Sequence, residues 1–335
     1  MSTDSLSLVP VHGLSTDPAE RARFDDWASV FAAAGRHDAD EDPQTADELR
    51  VGETDPTKLR VRLAALDGSV VCGALNLVMP TSDNEHLAAF DLAVLPERRR
   101  RGIGTALLDA CESAAQGQGR TTLIAETRWS GDDQSVGDVG GEFALRFGYT
   151  PAQTVLRSDF SVTGVDTMAP AVAPGYAVET CIGTPPAADR ADRAWLARRM
   201  STDAPLGDLD IGEEEWDEKR VADLDARLVA MERGRVSAVA RHLESGRLIA
   251  FTEIQVPKDS PTLAYQEDTL VLTEHRGCGL GLVLKLANLG VLRAAYPAVR
   301  TIRTWNAVGN THMLAVNTAM GFRPSGFVRE WQKVV

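Results

Sequence analysis

Arg276-Gly-Cys-Gly-Leu-Gly281 joins an apolar run ending at Leu272 to a second apolar run, 280–295, long enough for four helical turns. The order is strand, glycine turn, helix. Glycine lets a backbone turn tightly and bares consecutive N–H groups. Those donors, with the positive end of the following helix, form a site for a phosphate-bearing ligand. Two competing phosphate motifs fail. No Gly-x4-Gly-Lys-Ser/Thr string occurs, and residues 282 and 284 are leucines where a dinucleotide fingerprint needs its third glycine.

The same motif occurs 177 residues earlier as Arg99-Arg-Arg-Gly-Ile-Gly104. At that offset Asp91/Asp268, Val94/Val271, Leu95/Leu272, Gly102/Gly279, Gly104/Gly281 and Leu107/Leu284 coincide. Upstream, the runs ending at Pro80 and Pro257 match. Further upstream, Pro18 to Trp27 and Pro186 to Trp195 share a spacing, and downstream Phe147-Gly148-Tyr149 answers Met320-Gly321-Phe322. Matches kept in one order along the chain indicate duplication. Each half reads as a short strand, a helix (18–33; 186–200) and two β-rich runs (59–79; 235–256). A strand (87–95; 263–272), the glycine turn, a helix (104–116; 280–295), a strand (122–127; 299–305), and a last helix and strand follow. The expected class is α+β, with residues 1–160 and 180–335 as two domains. The Pro/Ala/Gly-rich stretch 161–179 reads as their linker. The acidic, Pro-containing stretch 35–57 reads as a loop over the first half.

With 335 residues, 44% hydrophobic and 25% charged, the chain can bury a core. Its 35 Lys and Arg against 48 Asp and Glu give a net charge of −13, which repels phosphate backbones and argues against nucleic-acid binding. A cationic acceptor suits that charge. Cys72, Cys111, Cys181 and Cys278 share no metal-ligand spacing, so no metal site and a reducing compartment are expected. MSTDSLSLVPVHG at the start shows no basic segment followed by an apolar one, and no apolar run reaches a membrane span's length. The reading is a cytoplasmic protein, monomer or homodimer.

The loop pattern resembles the GNAT superfamily of acyl-CoA-dependent N-acetyltransferases, whose pyrophosphate loop is Gln/Arg-x-x-Gly-x-Gly/Ala. Asn310-Thr-His-Met313 through Gly321-Phe322 resembles that family's C-terminal block. The resemblance covers nearly the whole chain, as two tandem GNAT-like domains of the two-domain actinobacterial type typified by mycothiol synthase. It implies a mixed, mostly antiparallel twisted sheet flanked by helices in each half. It also implies direct acetyl transfer from acetyl-CoA to a primary amine of a small molecule.

In the second half it places the donor on Leu270, Val271 and Leu272, on Arg276, Gly277, Cys278, Gly279, Leu280, Gly281 and Leu282, and on Asn306, Asn310 and Met313. In the first half Val94, Arg99, Arg101, Gly102, Gly104 and Thr105 correspond. Glu253, a carboxylate in an otherwise apolar strand where the first half has Asn76, is the candidate base, with Asp268 the alternative. The family's usual tyrosine, seven residues after the block's asparagine, is Asn317 here and Ala144 in the first half. A water on Asn317, His312, or late protonation of the thiolate would replace it. Gly137 stands where Asn310 does and Arg100 replaces a loop glycine, so the first domain reads as catalytically degenerate and the second as active. Cys278 reads as a small filler, and Trp305 as packing or as a wall of the donor site. A non-catalytic acetyl-CoA sensor or interaction protein is the competing reading, and acylation of protein amines a third.

Overall fold

The computed structural model describes residues 6–38, 44–131, 133, 139–163 and 171–335. They form two compact units: Met1–Thr154 with Gly207–Ile211 and Gly326–Val335, and Val155–Leu206 with Gly212–Ser325.

In the first unit the sheet order is β1 (Ser7–Pro10), β2 (Lys58–Asp67), β3 (Val70–Pro80), β4 (Leu87–Val94), β5 (Thr122–Ser130), then β12 (Arg323–Val334). All neighbours are antiparallel except β4 and β5. Helix α1 (Pro18–His37) covers one face through Phe24, Trp27 and Val30. Helix α3 (Ile103–Gly117) covers the other through Leu107, Leu108 and Cys111. Both sets recur at helical spacing, which buries one stripe of each helix. Helix α4 is Val139–Arg146.

The second unit repeats this order as β7 (Tyr176–Ile182), β8 (Gly234–His242), β9 (Leu248–Val256), β10 (Leu263–Val271), β11 (Thr301–Ala307), then β6 (Thr150–Ser161). Again only β10 and β11 are parallel. Helix α7 (Leu280–Ala295) packs on one face through Leu284, Leu289 and Leu292. Helices α5 (Arg190–Asp203) and α6 (Glu218–Ala230) lie on the other, and α8 (Thr311–Met320) closes the α7 side.

Each half therefore sends its final strand to the other unit: Gly326 onward completes the first sheet, and Val155 onward completes the second. The repeat alone reads each half as closing on itself. A second difference concerns 35–57, expected as a loop. It contains the end of α1 and helix α2 (Ala46–Gly52), while 39–43 lie outside the described residues. Thr45 and Glu48 form a capping box, each side chain accepting from the other's backbone N–H. Thr-x-x-Glu is readable in sequence, but the acidic setting hid it. Of the linker stretch, 164–170 lies outside the described residues; β6 extends to Ser161 and β7 begins at Tyr176.

Candidate functional site

The glycine turns take the same form in both units. Gly279 (φ +70°) and Gly102 (φ +84°) precede the first residues of α7 and α3 in the left-handed region, and neither helix has a side-chain cap. By contrast, Asp17, Asp217 and Asn310 cap α1, α6 and α8 with their side chains. The first-turn N–H groups of α3 and α7 thus lack the side-chain acceptor that those helices have. A Cβ at Gly277, Gly279 or Gly102 would meet nothing within 4 Å, and at Gly281 only Val271 Cγ2 at 3.9 Å. The concavity is open backbone, suited to a phosphate group. Arg100 holds φ +62° where Gly277 has +83°, so the turn survives that replacement. Leu280 is buried and can offer only its backbone, while Cys278 and Arg101 are exposed and Leu282 and Thr105 are half-buried.

The loop arginines brace the turns. Arg276 donates through Nε to the Val271 carbonyl (3.0 Å) and through Nη2 to Asp203 at the end of α5 (3.2 Å). Arg99 repeats this with the Val94 carbonyl (3.2 Å) and a two-pronged pair to Asp38 (2.9 and 2.6 Å), which holds the Asp38 carboxyl below its usual range against the opposing effect of burial. Each arginine ties the turn to the first helix of its unit.

Beside the turn, β10 and β11 pair only from Leu263/Thr301 to Tyr265/Arg303 and then part. Leu272 N–H is bonded to the Ile249 carbonyl on β9. Antiparallel strands alternate which residues face the partner, so Leu270 also faces β9, and Val271 faces the opening. Of the three strand residues Leu270, Val271 and Leu272, Val271 alone turns its backbone to the opening. Across the opening, Asn306 on β11 accepts from Asn317 Nδ2 (2.6 Å), and Asn317 Oδ1 accepts from the buried Lys285 Nζ (3.0 Å). The Asn317 side chain is committed to protein partners. Asn310 caps α8 by accepting from Met313 N–H (3.2 Å), and Trp305 packs on Tyr265 with ring centroids 5.7 Å apart.

On the α5/α6 side of this sheet lies a cavity of about 290 Å³. Between Gln266 and Thr269 the β10 register shifts, so that Glu267 and Asp268 both stand opposite Glu253. This bulge gathers three carboxylates at the cavity wall. Glu253 is not free: Arg235 donates to it through Nε (2.6 Å) and Gln255 through Nε2 (2.8 Å), while Arg235 also reaches Asp225 (2.6 Å). Arg193 completes the chain with two bonds to Asp225 (2.7 and 2.6 Å). Glu267 and Asp268 make no side-chain hydrogen bond or ion pair among the described residues. Both reach solvent, but within a walled concavity. That enclosure, then the charges of Glu253 and Asp268, pushes Glu267 up to about 7. Enclosure, then Glu253 and Glu214, pushes Asp268 up to about 6.

The profile of the GNAT acetyltransferase family matches residues 22–137. The chain resembles a tandem GNAT protein from the clavulanic acid biosynthesis pathway, with 27% identity, 98% of each chain covered and a TM-score of 0.82. It also resembles, in fold, a GCN5-related N-acetyltransferase from Sphaerobacter thermophilus (15% identity, 98% and 95% covered, TM-score 0.66). Residues 22–137 carry the GNAT-family signature. Its whole length has the tandem GNAT fold. No curated protein sequence matches it.

The two GNAT units differ at the carboxylate wall. In the first unit β3 and β4 pair without a register shift, and Asn76 donates to Asp91 (3.2 Å). Arg62 is buried there. It donates to Asn76 Oδ1 (3.0 Å), pairs with Glu53, and lies over Trp27 and Phe24 at 5.2 and 5.5 Å. Strand register puts Arg62 opposite Asn76 as Ser237 is opposite Glu253. A large buried cation stands in one unit where a serine lines the cavity in the other. Glu267 escaped the sequence reading because the bulge that aims it is a pairing defect with no local signature. Gly137, noted against Asn310, lies outside the described residues.

Proposed function

We propose that the second GNAT unit transfers an acetyl group from acetyl-CoA to a primary amine of a small molecule, with Glu267 as the base. The observation that carries this reading is the β10 bulge, which sets an unpaired carboxylate of raised pKa in a cavity beside the parted strands. A base with pKa near 7 is well matched to removing an ammonium proton at neutral pH. Arg235 orients Glu253, whose charge raises Glu267; Glu253 thus acts through its neighbour.

Acetyl-CoA supplies the activated acetyl group and the thiol that leaves. The uncapped α7 turn, Gly277 to Leu282, receives its pyrophosphate, and the Val271 N–H is placed to donate toward the acetyl carbonyl. Glu267 takes the ammonium proton, nitrogen bonds to the acetyl carbon, and the carbon–sulfur bond breaks with its electron pair on sulfur. Asn317 is held by Lys285 and Asn306, so protonation of the thiolate falls to solvent after it departs.

The second reading, acetyl-CoA binding without turnover, draws on the same lack of a hydroxyl acid. Thiol release from acetyl-CoA with a panel of amines separates the two. Glu267→Gln should lower kcat/KM by about a hundredfold or more, leaving acetyl-CoA affinity within twofold. Wild-type kcat/KM should rise through about pH 7, a step the variant lacks. Full activity in Glu267→Gln removes this residue from the mechanism. Binding without thiol release above the hydrolysis blank favours the sensor.

A further inference from the structure

We propose that the second-unit cavity takes a primary amine carried on an apolar body with no anionic group, so that amines are accepted and the corresponding α-amino acids refused. This rests on the acetyl-acceptor reading and specifies its substrate class.

The charges lining the cavity are the first argument. Its cations, Arg193 and Arg235, are already spent on Asp225 and Glu253. Two further lining carboxylates, Glu179 and Asp189, are taken by Arg241 at 2.7 and 3.0 Å. What remains are Glu267 and Asp268, with the charge of Arg233 partly offsetting Glu267. A ligand carboxylate would enter beside two carboxylates and find its lining arginines engaged. A ligand ammonium would find acceptors.

Ser237 is the second, independent argument. Its side chain lines the cavity and is 6% exposed, and its hydroxyl has no hydrogen-bond partner among the described residues. That hydroxyl is available to accept from an ammonium or amine N–H inside the cavity. The other wall, Leu196, Val221, Val239 and Phe251, is apolar and suits a hydrocarbon or aromatic body. In the first unit the matching position is Arg62, a buried guanidinium held against Asn76, Trp27 and Phe24.

The test is calorimetric titration of the intact protein with matched pairs, phenethylamine against phenylalanine and cadaverine against lysine. Each amine should bind at least about tenfold tighter than its amino acid. Ser237→Arg, which copies the residue at the first unit's matching position, should abolish amine binding and leave acetyl-CoA binding unchanged. Should that variant fail to fold, Glu267→Gln with Asp268→Asn should shrink the tenfold preference toward parity. Equal binding of the pair, tighter binding of the amino acid, or no binding of either at millimolar concentration overturns the proposal. Acetyl-CoA titration and thiol release in the same samples report separately on the transferase reading, so a cavity that discriminates without turnover sinks that reading alone.

Discussion

Lys285 shows how much one side chain can depend on its surroundings. It lies in an apolar helix, α7, and ends in a buried ammonium with Asn317 as its hydrogen-bond partner. Burial brings it down to about 7 from the usual lysine value. Between about pH 7 and its unfolded value near 10.4, the unfolded chain holds a proton that the folded chain does not. Its contribution to stability therefore rises with pH across that window, and below it the full cost of the buried charge remains. Lys285→Met should stabilise the protein by a few kcal/mol below about pH 7, with a gain that shrinks toward pH 10. Urea unfolding across pH checks this, and a gain independent of pH contradicts it. The sequence marks Lys285 only as one charge in an apolar run. Glu253 was legible as an odd carboxylate in an apolar strand, but nothing nearby in sequence announces that Arg235 neutralises it.

At the scale of elements, the glycine turns were the most legible feature. Their conformation follows from residue types at adjacent positions: glycines in the left-handed region, then an apolar helix without a cap. The boundaries expected for α7, 280–295, coincide with those observed. Less legible was what holds each turn. Arg276 braces it against the Val271 carbonyl and Asp203, and a charge-assisted bond of this kind is worth about 1–2 kcal/mol. Arg276→Ala should therefore weaken acetyl-CoA binding by about tenfold in calorimetry, while Arg276→Lys, unable to make both bonds, should recover little. An unchanged affinity makes the brace irrelevant to the donor site. The Glu267–Asp268 bulge lies at the opposite extreme of legibility, since it exists only as a mismatch between β10 and β9.

At the scale of the whole molecule, the exchanged strands decide what can fold alone. Trp331 on β12 is almost fully buried in the first unit's core with Leu75, Leu77 and Leu123, although it lies 204 residues after Thr127, which accepts its indole N–H at 2.8 Å. Trp331→Ala should cost about 3–5 kcal/mol of first-unit stability. Separate polypeptides 1–160 and 180–335 should each melt without a cooperative transition, whereas the intact chain melts cooperatively; two well-folded halves would show that the exchange is dispensable. The sequence by itself determined the duplication, the α+β class, the glycine turns and the asymmetry of Glu253 against Asn76. Each of these is a matter of residue type at short or constant spacing. Only the tertiary structure decided which strands share a sheet, that Arg235 occupies Glu253, that Arg62 and Ser237 hold matching positions in the two units, and that a register slip aims Glu267 at the cavity. Those depend on side chains and strands brought together across the chain, and strand register is set by the pairing of a whole sheet.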